Sequence, residues 1–150
     1  MSRPPARRRT LRPVFADDRG QNLVEFAILA PIFLFLLIGM FEFGRAWNIY
    51  QVVVNAAREG GRVAALPTGF STADSVQARV ASYLQSANLN PGVAEVLLQD
   101  VEGATGSIAS VSVSYPYSFA FVGPIARLVD SGSTLGGDLT LSSTAQMRNE

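Results

Sequence analysis

Between Phe26 and Phe41 the chain carries no charged residue and is filled with Phe, Leu and Ile. As a helix these residues rise about 24 Å. Extended to Leu23 and Trp47, the segment reaches roughly 37 Å, and a bilayer core of about 30 Å falls between the two values. A soluble core helix fits badly. Large apolar groups cover every face from Phe26 to Ile38, and a helix that is apolar all round has to be buried all round. A chain of 150 residues has too little else to wrap it. The sequence therefore predicts a membrane-spanning helix over residues 21–47. Trp47 and Tyr50 then fall in the outer interface, where aromatic amphipaths settle. Glu42 and Arg45, three residues apart, can face each other on the helix.

The residues before the run set its direction. Met1 to Gly20 hold Arg3, Arg7, Arg8, Arg9, Arg12 and Arg19, half of the chain's arginines, against Asp17 and Asp18. Pro4, Pro5 and Pro13 remove backbone donors and fix φ, so this leader is not expected to fold by itself. Net charge is zero over the whole chain, so the asymmetry carries the information. Basic residues stay on the cytoplasmic side of an inserted segment. The leader is then inside and residues 48–150 are outside. An Arg-rich stretch can also bind nucleic acid, but the adjoining apolar run already accounts for the bias, and no nucleic-acid partner is expected. A secretory signal peptide has a shorter apolar region, about 7 to 15 residues, and a small-x-small cleavage site after it. Here Glu42-Phe43-Gly44-Arg45-Ala46-Trp47 follows instead. A cut on that side is not expected, whereas one on the cytoplasmic side is open.

Glu25 stands at the edge of the run. A charge near the membrane interior costs roughly 2.5 to 3.5 kcal/mol on insertion scales, so a carboxylate kept there needs a partner or a task. Upstream, Gly20 is followed by Gln21-Asn22-Leu23-Val24-Glu25. This pattern resembles the N-terminus of type IV pilin-like proteins, in which a prepilin peptidase cuts after a Gly and a Glu stands fifth in the mature chain. The fuller string from Arg19 to Pro31, with Val24-Glu25-Phe26-Ala27 at its centre, resembles more narrowly the TadE/TadG family of the Tad (Flp) pilus system. So do the Glu42-Phe43-Gly44-Arg45 segment and Ala56-Ala57-Arg58-Glu59-Gly60-Gly61-Arg62. The likeness is clear over residues 19–66 and loose beyond. Major Flp pilins usually carry Glu-Tyr and are much shorter. Glu25-Phe26 and the large outer part therefore imply a pseudopilin or minor pilin. The resemblance implies cleavage between Gly20 and Gln21 by a prepilin peptidase. It implies as partners membrane lipid, other pilin-like subunits and the Tad assembly platform, at the cytoplasmic (inner) membrane or in the pilus.

A cut after Gly20 would create an amine on Gln21 about one helical turn from the Glu25 carboxylate. In a bundle of such helices the carboxylate of one subunit can neutralise the amine of another. Such a pair strengthens in low dielectric, and either charge left alone is penalised. Alternatively, Glu25 simply reaches the headgroups. Pro31 removes one helix bond within the run; membrane helices tolerate this, either as a functional kink or as an ordinary membrane proline.

The helix is expected to continue to Leu66. Its small residues, among them Ala57, Gly60, Gly61 and Ala64, form a stripe that permits close backbone approach. Adjacent glycines cost about 1 kcal/mol each relative to Ala, so dense packing on a sheet or a sister helix is expected there, or else a fraying end. Arg58, Glu59 and Arg62 read as the solvated face. A second helix fits residues 72–88, capped by Ser71 or Thr72. Strands fit residues 93–101, Ile108 to Phe119 and 137–147. Alternation is clear from Val111 onward, and Pro116 argues for an edge or a bulge. A short helix fits Ile125 to Val129. The fold class is α+β and pilin-like: a long N-terminal membrane helix packed by its outer half on a small antiparallel sheet, with a shorter second helix. The domains are a cleaved leader (1–20), the transmembrane helix (21–47) and an extracytoplasmic domain (48–150).

The chain contains no Cys, His or Lys. This removes disulfides, the common transition-metal ligands and Lys-based nucleophiles. No Gly-rich phosphate loop is present. Asp100 with Glu102, and Asp130 with Ser131 and Ser133, offer oxygens that suit Ca²⁺, but solvated loops are the simpler reading. No cofactor, metal or catalytic activity is expected. Two functions remain: a pilin-like structural subunit, and a single-pass anchored domain for binding or sensing.

Overall fold

A computed structural model describes residues 18–150, apart from Thr68, Ser133 and Leu135. The leader to residue 17 lies outside the described residues. The chain divides into two compact units, Met1–Leu37 and Ile38–Glu150.

Helix α1 spans Asp18–Ala64 and contributes to both units. It starts two residues before Gly20, within the stretch read from sequence as unfolded. The first turn of a helix has no intrahelical N–H bond to lose, so a glycine there is tolerated. In the first unit the large side chains are bare: Phe26 is 69% and Phe33 63% exposed. The helix is long and apolar enough to cross a membrane, and its most apolar window buries nothing within the protein. Pro31 lies inside it without interrupting it.

The second unit contains the core. Besides the rest of α1 it holds helix α2 (Ala73–Ser86), a single 3-10 turn (Pro91–Val93), strand β1 (Glu95–Gln99), strand β2 (Ile108–Tyr117), helix α3 (Val122–Val129) and strand β3 (Leu139–Arg148). The strands form an antiparallel sheet in the order β1-β2-β3. Thr72 caps α2: its hydroxyl accepts from Ser75 N, and Ser75 Oγ accepts from Thr72 N. A reciprocal cap of this kind satisfies two orphan donors at once. Ser71, the other candidate cap, is buried and donates to Val101 O instead.

The period of two along β2 decides what it buries. Ala109, Val111, Val113, Tyr115 and Tyr117 face the core, while Ser110, Ser112 and Ser114 face away. Ile108 is thereby placed on the outer face, 60% exposed. On that face Ser112 Oγ meets Thr144 Oγ1 at 2.7 Å. Pro116 sits in the central strand, not an edge strand. Yet β1 pairs only from Ser110 to Ser114, so the proline lies past its reach and pairs with Thr140 alone. The missing N–H therefore costs no ladder bond to β1.

Helix α3 begins three residues earlier than its sequence suggests, taking in Gly123 and Pro124. Pro124 falls in the first turn, where a missing N–H removes nothing. Gly136, at φ +73, brings its backbone against the Gly123 backbone, a close approach that no side chain would permit.

Candidate functional site

The residues singled out by sequence fall into two groups, one in each unit. In the first unit, Gly20 and Gln21 are exposed and helical. A Cβ added at Gly20 would meet nothing within 4 Å. Gln21 Nε2 donates to Glu25 Oε1 at 3.0 Å. The two residues are one helical turn apart, which is the spacing at which side chains stack along a helix. Sequence reasoning gave Gln21 a role only through its backbone amine; its side chain is also the hydrogen-bond partner of the Glu25 carboxylate. Both residues are exposed, so Glu25 has unused acceptor capacity.

In the second unit, the small residues of α1 form a seat. Ala57 and Ala64 are fully buried. A Cβ on Gly60 would lie 2.7 Å from Val80 Cγ2 of α2 and 3.1 Å from Val111 Cγ1 of β2. A Cβ on Gly61 would lie 3.3 Å from Ala145 Cβ of β3. The neighbouring glycines thus let α1 approach a helix and two strands at once. The stripe packs within the chain, on its own sheet and on α2. On the exposed side, Glu59 pairs with Arg79 at 3.0 Å and with Arg62 at 3.5 Å. Those arginines, the Arg79 hydrogen bond first, hold the Glu59 carboxyl below its ordinary value.

Glu42 and Arg45 stand where they can face each other on the helix, but Glu42 finds its hydrogen-bond partners elsewhere. It does not face Arg45 as an ion pair; it is buried, only 1% exposed. Its Oε1 accepts from Phe121 N at 2.7 Å, and its Oε2 accepts from Tyr117 Oη at 2.9 Å. The same hydroxyl lies 3.2 Å from the Glu42 carbonyl. Burial, then the hydrogen bond to Glu42, push the Tyr117 phenol above its ordinary 10.0, so it stays a donor at physiological pH. Arg45 turns to the same loop by another route. Its Nη2 donates to Ser118 O at 3.0 Å, and its guanidinium lies 5.1 Å from the centre of the Tyr117 ring. Phe119 closes edge-on to that ring at 5.2 Å. Together Glu42 and Arg45 lock α1 to the β2–α3 connection. A signal was present: a carboxylate directly after an uncharged run, with tyrosines on the core face of a distant strand. What could not be read is which tyrosine.

Among the described residues no group of three or more Asp or Glu is placed to hold a metal ion. The Asp130 carboxylate accepts from Gly132 N in a local turn. Ser133, part of that candidate, lies outside the described residues. Asp100 carries φ +56, and its carbonyl accepts from Asn149 Nδ2.

Residues 20–62 match the family model of the TadE-like protein. The match spans Gly20, Gln21, Glu25, the uncharged run, Glu42 and Arg45, and ends beyond the paired glycines. It agrees with the resemblance carried by the same segments in the sequence. No curated protein and no solved structure matches the chain.

Proposed function

We propose that this protein is a pilin-like structural subunit, a pseudopilin or minor pilin, that takes part in assembly of a Tad-type pilus and is not an enzyme. The observation that carries the reading is the TadE-like segment over residues 20–62 together with what it contains. Its apolar half buries nothing within the protein, and among the described residues Glu25 is bonded to Gln21, one turn away. A bare apolar helix ending in a carboxylate suits a subunit that first lies in a membrane and then packs against its own kind. In this reading a prepilin peptidase removes the basic leader between Gly20 and Gln21 on the cytoplasmic side. Glu25 then neutralises the Gln21 amine of a neighbouring subunit in low dielectric. The second unit stays outside the cytoplasmic membrane, because the basic leader is retained inside.

The deciding measurement is the N-terminus of the mature protein by mass spectrometry, with and without the peptidase. Gln21 at the N-terminus is expected, and Gly20→Val is expected to leave the leader attached. A mature chain that keeps its arginines while the peptidase is active would remove the pilin reading and favour a permanently anchored binding or sensing domain. Protease added to intact spheroplasts should digest the second unit; its protection would overturn the topology.

A further inference from the structure

Strand β3 closes one side of the sheet and pairs with β2 alone. Its backbone groups alternate in direction, as in any antiparallel ladder. Asn149, one residue beyond β3, donates from its N to Ser107 O, next to β2. Glu150 N turns away and donates to Ala65 O. Counting back by twos, Leu141, Ser143, Ala145 and Met147 turn N–H and C=O toward β2. Thr140, Ser142, Thr144 and Gln146 turn theirs outward, and among the described residues nothing bonds these outward groups. Natural edge strands are ordinarily shielded by Pro, Lys, a bulge or an inward charge. β3 runs in unbroken register without any of these, and its last residue, Arg148, is its only charge.

A cleft of about 700 Å³ lies against this edge, lined by every residue from Ser143 to Met147. Side chains alternate between the two faces of a strand, so consecutive residues line one cleft only where it follows the backbone edge. Val54, Arg58 and Arg62 of α1 also line it. They stand four residues apart, in one stripe of the helix. Arg58 and Arg62 are exposed. Glu59, the acid beside them, is already held by Arg79 and Arg62, and Arg58 enters neither pair. The helix side of the cleft is left with an excess of positive charge.

From this geometry we infer that the cleft docks an extended acidic segment of another polypeptide. The segment adds antiparallel to β3 as a fourth strand, with carboxylates at alternate positions facing Arg58 and Arg62. The edge dictates the form of the occupant, because its outward N–H and C=O groups are met in register by another extended backbone. The arginines dictate its charge. They lie about 6 Å apart along the helix, and side chains on one face of a strand repeat at about 6.8 Å. A carboxylate on every second residue therefore meets both. The inference concerns the second unit alone and does not rest on the pilin reading.

The probe is a fluorescein-labelled peptide, Ser-Thr-Glu-Thr-Glu-Thr-Ser, titrated with the full chain in detergent and read by fluorescence anisotropy. Saturable binding is expected. Replacing both Glu of the peptide by Gln should weaken it roughly tenfold, two exposed ion pairs being lost. Arg58→Gln combined with Arg62→Gln should do the same. An antiparallel added strand turns its Thr nitrogens toward β3 and its Glu nitrogens away. N-methylation of the Thr nitrogens should therefore abolish binding, and N-methylation of the Glu nitrogens should not. Gln146→Pro removes one outward N–H and no bond to β2, so it should weaken binding while the circular dichroism stays native. Absence of saturable binding by the parent peptide would overturn the inference, as would any other ranking of the two methylated peptides. Binding that survives both arginine changes would belong to the arginines of the leader and would overturn the site. Peptide binding that fades as the protein is concentrated would mean that a second copy holds the edge, which also overturns it.

Discussion

Glu25 and Glu42 flank the two ends of the same uncharged run, and the fold treats them in opposite ways. Glu25 is exposed and bonded to the side chain one turn before it. Glu42 is buried and holds a tyrosine hydroxyl and a backbone N–H that lie 75 and 79 positions further along the chain. A carboxylate satisfied inside the monomer is part of the fold. A carboxylate with spare acceptor capacity at a membrane edge is available to something outside the monomer. The same residue type in one helix thus serves packing at one end and, in the function proposed here, assembly at the other.

The sharpest way to break this comparison is Glu25→Gln. The amide is nearly isosteric, and Gln21 can still bond it, so the change removes charge and little else. If a neighbour's amine needs that charge, losing it costs on the order of 3 to 5 kcal/mol. Incorporation into the assembly should then fall by more than a hundredfold, about 1.4 kcal/mol being tenfold. Membrane level and leader cleavage should be unchanged. Co-purification with pilus components, normalised to membrane content, gives the readout. Normal incorporation would mean that Glu25 only reaches the headgroups.

Glu42 should respond in the opposite sense. Glu42→Ala strands the Tyr117 hydroxyl and Phe121 N in a buried site, and hydrogen bonds to a charged group are worth about 1.5 to 3 kcal/mol. The second unit should lose about 3 kcal/mol, while Tyr117→Phe should lose about 1.5 kcal/mol. Chemical denaturation of the full chain in detergent, followed by near-ultraviolet circular dichroism, measures both. Glu25→Ala should leave that curve in place. Equal effects from the two glutamates would erase the distinction.

The difference between these carboxylates also marks how far the sequence could be read. The run from Phe26 to Phe41, the small-residue stripe at Gly60 and Gly61 and the Thr72 cap are local patterns, so each was legible from a few neighbouring residues. The Glu42–Tyr117 contact joins residues 75 positions apart, and no local pattern names the partner. The Glu42–Arg45 spacing allows the two to face each other, but the fold supplies other partners, Tyr117 and Phe121 to Glu42 and the Ser118 carbonyl to Arg45. Ile108 was legible as the start of a strand, and its register places it on the outer face. The short helix was legible only from Ile125, but Gly123 and Pro124 fit its first turn. Each of these was settled by tertiary placement rather than by propensity.

Two glycines of α1 sharpen the contrast further. Gly60→Ala puts a methyl 2.7 Å from Val80 Cγ2. Overpacking costs about 1 to 3 kcal/mol, offset by about 1 kcal/mol of helix propensity, so a net loss of about 1 kcal/mol is expected. Gly44→Ala meets nothing within 4 Å and should stabilise the helix by up to about 1 kcal/mol. The same denaturation series tests both, and a gain at Gly60 would mean that the seat has slack.

The smallest expected effect lies on the exposed side of the outer helix. Glu59 accepts from Arg79 and lies beside Arg62, and these neighbours hold its carboxyl below the ordinary 4.5. A group whose folded-state pKa is depressed contributes stability above its unfolded value and loses that contribution as pH falls through the folded value. The second unit should therefore weaken as pH is lowered below about 4.5, in a shallow bend that salt flattens because the pair is exposed to solvent. Arg79→Gln should remove much of that bend by a small loss of stability at pH 7, with little change at pH 3. Urea midpoints of the two proteins, taken from pH 6 down to pH 3 at low and high salt, read it directly. If the bend is as deep in Arg79→Gln as in the parent, the acid sensitivity belongs to another carboxylate. Glu42, the one enclosed by the fold, is then the group to vary next.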